Sequence, residues 1–242
     1  MFEEVFLKFN AYIDGFNLYK GSLEKRGNLK WVDLVRFCKM QMPDCEIGQI
    51  YYFTAPLKKK FPEDKANERQ HAYLRVLEDQ GINVIKGKFQ KSESWLRIRE
   101  SNRKSFTQPS FKSLAGINQI QINRVFREAE PDFPKAPVNR FEEKGSDVNL
   151  ASYLLKDVFV NELKSALVVT GDSDLTTPIK FASEFGAHIN LLVPGDGLKT
   201  SSLSSVASIT NKVDLAELGI SQLPNPYILK SGSKIYKPKM WV

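Results

Sequence analysis

Four aspartates stand where a fold could gather them: Asp14 in "YIDGFN", Asp147 in "EEKGSDVNLA", and Asp172 and Asp174 in "VVTGDSD". Carboxylates brought together repel, and desolvating them is costly without compensation. Hard divalent cations compensate. Mg2+ and Mn2+ favour oxygen ligands, and Mg2+ keeps several waters while held by a few carboxylates and a substrate phosphate. A metal held in this way activates water and stabilises charge on a phosphodiester during in-line displacement. Lys144, beside Asp147, would orient the attacking water or neutralise phosphate charge.

Such chemistry requires elements that bring separate segments to one place, and strand and helix signals do alternate along the chain. "LKFNAYID" (Leu7–Asp14) reads as a strand, "WVDLVRFCKMQM" as a helix and "IGQIYYFTAP" as a β-rich run ended by Pro56. "KANERQHAYLRVLEDQG" has an amphipathic stripe (Ala72, Tyr73, Val76, Leu77) that Gly81 stops. "INVIKGKFQ" follows as a strand, and Lys144–Leu155 is helical by its spacing of Val148, Ala151, Leu154 and Leu155. "SALVVTGDSD" is an apolar strand ending in acids, "LTTPIKFASEFGA" a helix, "HINLLVP" a strand and "GLKTSSLSSVAS" a further helix. This alternation predicts an α/β fold with a mostly parallel sheet covered on both faces. Ligands of such sheets sit beyond the carboxyl ends of the strands, where strand order reverses. Asp14 and the pair Asp172 and Asp174 end strands. Asp147 starts a helix that runs antiparallel to the strand it enters, so it belongs on the same edge. Four carboxylates from three segments are therefore expected on one rim.

Each acid also has a purely structural reading. Asp147 would favour the positive start of its helix, with Ser146 as N-cap. "GDSD" would be a turn that caps the next helix, and "DGFN" a tight turn with Asn17 as a helix cap. Three unrelated caps on the active edge of one sheet are a weaker explanation than one shared site.

The 242 residues are 42% hydrophobic and 11% aromatic, enough for a sizeable core. No apolar run has membrane-spanning length, and "MFEEVFLKFN" lacks a signal peptide's basic start, so a cytoplasmic protein without a membrane partner is expected. Cys38 and Cys45 do not have CxxC spacing, and His71 and His188 lie far apart, which argues against zinc.

The net charge of +7 is unevenly spread. Between Lys86 and Lys112 eight basic residues face only Glu93 and Glu100. This stretch interleaves Lys88, Lys91, Arg97, Arg99, Arg103 and Lys104 with Trp95 and other aromatics. Cations on phosphates and rings under bases are how single-stranded nucleic acid is held. From about residue 91 to 141 the rhythm of elements breaks, and an insertion with little regular structure is expected, apart from a short element near "INQIQINRVFREAE". The expected organisation is a domain over residues 1–223 followed by a basic tail, 224–242, extended and proline-punctuated. The tail either continues an RNA groove or packs on a second subunit in a homodimer.

"YIDGFNLY", "YYFTAP", "HAYLRVLEDQGINVIKGKF", "EEKGSDVNLASYLLKD" and "ALVVTGDSDLTTPIKFASEFG", in this order, resemble the NYN domain family of the PIN-like nuclease superfamily. The resemblance runs from about Leu7 to Val213, interrupted by the basic stretch. It implies a PIN-like three-layer α/β/α sandwich and metal-dependent RNA cleavage. The family's first-strand Asp and nearby Asn match Asp14 and Asn17; its mid-chain acid and preceding Lys match Asp147 and Lys144; its paired acids match Asp172 and Asp174. The leading expectation is an endoribonuclease using Mg2+ or Mn2+ on single-stranded or structured RNA. A module that binds RNA or assembles, with a metal site but little turnover, is the alternative. A phosphotransfer enzyme on a small substrate is disfavoured, because "DGFN" lacks the second Asp of a DxD pattern and no P-loop follows the first strand.

Overall fold

The computed structural model describes residues 7–57, 59, 62–97, 135–195 and 201–241. Six strands make the central sheet: β1 (Lys8–Asp14), β2 (Glu46–Thr54), β3 (Asn83–Lys86), β6 (Ser165–Val169), β7 (His188–Val193) and β8 (Ile209–Lys212). Their order is β3-β2-β1-β6-β7-β8, and every neighbouring pair is parallel. The chain builds outward from β1 in one direction, returns, and builds outward in the other. Strand order therefore reverses between β1 and β6.

Helices cover both faces, so the fold is an α/β three-layer sandwich. On one side α2 (Leu34–Gln41), α3 (Ala66–Asp79) and α7 (Leu215–Ile220) bury Phe37, Tyr73, Leu77 and Leu218 against Phe9, Ala11 and Ile13. On the other, α4 (Ser146–Val160) and α5 (Thr176–Glu184) bury Leu150, Leu154 and Ile179 with Tyr12. Alternate residues of β1 thus serve opposite cores, as the period of a strand requires. β6 is buried along its whole length, which explains its unbroken apolar sequence. Among the described residues no helix is long and apolar enough to cross a membrane.

A buried polar network pins α4 to β1. Asp157 on α4 accepts hydrogen bonds from Tyr12 Oη at 2.6 Å, Asn10 Nδ2 at 3.0 Å and Asn161 Nδ2 at 2.8 Å. Burial and the neighbouring Asp157 carboxylate push the Tyr12 phenol well above its ordinary range, so it stays a donor. Asp157→Ala leaves these donors facing apolar space and is expected to lower stability by about 2 kcal/mol. Urea unfolding measures it, and a loss below about 0.5 kcal/mol would remove the network from the fold's energetics.

Three sequence expectations need correction or completion. The "GLKTSSLSSVAS" helix ends at Ser204, as α6 (Ser201–Ser204), and residues 197–200 lie outside the described ones. Its serines bond locally, as Ser205 Oγ does to the Ser202 carbonyl, and this competes with helix propagation. The insertion is not irregular throughout: β4 (Lys88–Arg97) and β5 (Lys135–Lys144) pair in a two-stranded sheet, and Gln90–Glu142 form a compact unit of their own. Pro137 hid β5 in the sequence, but edge strands tolerate proline. The short element expected near Ile117–Glu130 lies outside the described residues.

The tail is neither free nor extended; it folds onto its own domain. β9 (Tyr227–Ile228) and β10 (Lys234–Ile235) form an antiparallel hairpin, and a final 3-10 turn (Lys239–Trp241) buries Trp241. That ring lies 6.1 Å from both Trp31 and Tyr73. Asp79 on α3 accepts from Tyr227 Oη at 3.1 Å and from the Lys230 amide at 2.9 Å.

Candidate functional site

The register of β1 on β6 makes the site. Ile13 pairs with Val169, so the next residues, Asp14 and Thr170, stand side by side at the carboxyl edge. Asp14 is 2% exposed. It begins α1 (Gly15–Leu18) as its cap, with Oδ1 accepting from the Asn17 amide at 2.9 Å. Its Oδ2 accepts from Asn17 Nδ2 at 2.9 Å and from Thr170 Oγ1 at 3.2 Å. Asn17 turns its own Oδ1 to the Gly171 amide at 3.3 Å, tying β1's exit to β6's exit. The Asp172 amide donates to Thr170 Oγ1 at 3.1 Å, and Asp172 Oδ1 accepts from the Asp174 amide at 3.0 Å. Asp14, not Asn17, caps α1, Asp172 caps the turn after it, and the same caps orient the acids.

Burial pushes the Asp14 carboxyl above the usual carboxylate range. Bonds from Asn17 and Thr170 pull it down, and the negative charge of Asp172 adds to the rise. The folded protein therefore binds a proton at Asp14 at a pH where the unfolded chain has released it. Stability from this group is gained as pH falls through that window and lost as it rises. A carbon-13 NMR titration in EDTA is expected to give Asp14 a midpoint above the ordinary carboxylate value. Asp172→Asn is expected to bring it down, and an unmoved midpoint would show that the two charges do not communicate.

The remaining acids are less closely drawn in. Asp174 is exposed in the 3-10 turn that opens α5. Asp147 is exposed in the first turn of α4, and Lys144 is exposed at the end of β5. This turn meets the sheet at β3: a side chain on Gly87 would come within 2.7 Å of the Lys144 carbonyl and 3.1 Å of Ser146 Oγ. β3 is two strand spacings, about 10 Å, from β1. From Asp157, fixed at Tyr12, α4 rises about 15 Å to Asp147, against about 7 Å from Tyr12 to Asp14 along β1. Asp147 thus shares the edge but stands further out along it. Among the described residues no group of three or more acidic, His or Cys side chains is gathered to hold a metal ion. Of the four expected carboxylates, Asp14 and Asp172 are joined as a pair through Thr170, Asp174 follows in the next turn, and Asp147 stands further out. A hard cation fits the donor chemistry of that pair: all-oxygen, anionic, and carrying one buried carboxylate whose charge is unfavourable without compensation.

Of the basic stretch, Lys88 is exposed at the start of β4. Lys91, Trp95 and Arg97 lie on β4, but their side chains, and Arg99, Arg103 and Lys104 altogether, fall outside the described residues. Thr170 is the residue of the candidate site that the sequence reading missed. Its signal was its place, the last residue before "GDSD" on a strand that must end beside β1. Two surface concavities, of about 600 Å³ between α2 and the start of β2 and about 290 Å³ between α3 and the tail, include none of these residues.

No family model matches the chain. The chain is 25% identical, over 261 aligned positions, to 6-hydroxy-3-succinoylpyridine 3-monooxygenase HspA of Pseudomonas putida (strain DSM 28022 / S16). That alignment covers 97% of this chain and 75% of the relative. Among solved structures, a protein of unknown function from Vibrio parahaemolyticus RIMD 2210633 is similar, with a TM-score of 0.49 and 13% identity. The match spans 89% of this chain and 98% of that one.

Proposed function

We propose that this protein is a metal-dependent ribonuclease, an endonuclease that hydrolyses RNA phosphodiester bonds with Mg2+ or Mn2+. The observation that carries this reading is the placement of Asp14 against Thr170 and Asp172 where strand order reverses. Asp14 and Asp172 would hold the cation, with Asp174 in the next turn and Asp147 further out on the same edge. When bound, it supplies charge neutralisation at the phosphate and a more acidic water. The chain's own residues do the rest. Asn17 and Thr170 fix both oxygens of Asp14, so the carboxylate keeps one orientation. Lys144 offers a positive charge to the phosphate from the end of β5. A cytoplasmic setting agrees with Cys38 and Cys45, neither of which is in a disulfide.

The test is end-labelled single-stranded RNA incubated with the protein and Mg2+, Mn2+ or EDTA, beside Asp172→Asn. Internal cuts that need metal and vanish in the variant are expected. Metal-sensitive binding without cuts would make the protein an RNA-binding module instead.

A second reading draws on the relative's name, because the alignment runs through nearly the whole of this chain. In it the protein acts as a monooxygenase on 6-hydroxy-3-succinoylpyridine or a similar ring. Oxygen uptake that depends on 6-hydroxy-3-succinoylpyridine and an added reductant would favour it over the nuclease.

A further inference from the structure

The residues that follow Asp14 present two aromatic rings to solvent. α1 continues without a break into a π-helical turn (Tyr19–Leu23), a form that recurs at functional sites. Leu18 and Leu23 point into the core, and Asn17 points to Asp14 and Gly171. Phe16 and Tyr19, three residues apart and so on one face, are 43% and 36% exposed. Each carries a lysine: Lys20 Nζ lies 5.8 Å from the Phe16 ring centre, and Lys30 Nζ lies 5.1 Å from that of Tyr19. Lys30 also donates to Tyr19 Oη at 3.4 Å, while Lys20 is shared with Glu24. Lys25 and Arg26 keep the segment basic.

The segment is held firmly. A side chain on Gly21 would come within 2.7 Å of Pro194 Cβ, so the π-helical turn lies against the chain leaving β7. Phe16 adjoins Asn17, which holds both halves of the acid site, so its backbone is one residue, about 3.8 Å, from the site's own. Exposed rings with cations beside them, on a fixed backbone next to acids, match the make-up of single-strand binding surfaces. There, bases stack on rings and cations take the phosphates.

We propose that Phe16 and Tyr19, with Lys20 and Lys30, form a stacking platform that holds nucleobases of single-stranded RNA beside Asp14. This rests on the ribonuclease reading and adds where its substrate is gripped. It places a grip in the core domain itself, apart from the basic insertion. Stacking tolerates any base, so the platform sets strand state (unpaired rather than paired) and not sequence.

The test separates bases from phosphates. The full chain carrying Asp172→Asn, to prevent turnover, is titrated with fluorescein-labelled oligoadenylate and with an abasic oligomer of equal length. Oligoadenylate is expected to bind at least about tenfold more tightly. Phe16→Ala with Tyr19→Ala is expected to abolish that preference while leaving abasic binding within about twofold, since the lysines remain. Phe16→Tyr with Tyr19→Phe is expected to restore it. Both rings are solvent-facing, so the melting temperature checks that every variant folds. A preference that survives the alanine pair, or an equal loss for both oligomers, overturns the platform. Metal-dependent cleavage by the native chain, run alongside, would then leave the ribonuclease reading standing. A native chain that neither binds nor cuts oligoadenylate overturns both.

Discussion

Asp14→Asn is expected to lower metal-dependent RNA cleavage by at least about 100-fold while the protein stays folded. The substitution keeps shape and removes charge. Asn can still accept from the Asn17 amide and so preserve the cap of α1. Its amide nitrogen then faces Asn17 Nδ2, a donor against a donor, and this bond is lost. Thr170 adapts, because its hydroxyl can rotate to accept. Against that loss stands the removal of a buried negative charge beside Asp172. The two effects oppose, so the melting temperature should move little. Asp14→Ala lacks the cap and should cost about 1 kcal/mol in addition. Single-turnover cleavage of labelled RNA and a thermal melt on the same samples separate chemistry from folding. Undiminished cleavage by Asp14→Asn would take the buried carboxylate out of the mechanism.

Trp31→Ala has the largest expected effect on stability. Trp31 is fully buried, its ring 5.8 Å from Tyr73 and 6.1 Å from Trp241, and its Nε1 donates to the Pro224 carbonyl at 3.1 Å. Truncation leaves a cavity that three elements share, and about 3–5 kcal/mol should be lost. At this chain length that is a fall of roughly 10 °C in melting temperature. The tail should also loosen, because its last aromatic anchor packs on the missing ring. Limited proteolysis would then cut after Pro224 in the variant and not in the native protein. A variant that melts within about 2 °C of the native protein would show that the tail is held elsewhere.

The sheet was legible in the sequence because its strands are buried on both faces. "SALVV" and "INLLV" are apolar but for Ser165 and Asn190, and each ends at a turn signal. The site was legible for a related reason: acids at strand ends can be assigned to an edge before any distance is known. What the sequence could not convey was spacing along that edge. Asp147 depends on the tilt of α4, which is set by Asp157 meeting Tyr12 and Asn10, partners more than 140 residues away. The tail misled because lysines and prolines outnumber its anchors. Trp241 and Tyr227 find their partners only in three dimensions. Nothing in the sequence set Phe16 and Tyr19 apart from the other aromatic residues; their exposure does.

Gly87 lies close against the Lys144 carbonyl, so the core chain leaves for the basic insertion and comes back at nearly one point. To the core, the long segment between is a loop already closed at its neck. The entropy of closing a loop depends only on the logarithm of its length: halving or doubling it changes stability by about 0.6 kcal/mol. At this neck the protein can therefore accept segments of very different size and composition. The strands that carry Asp14 and Asp172 need not shift when it does.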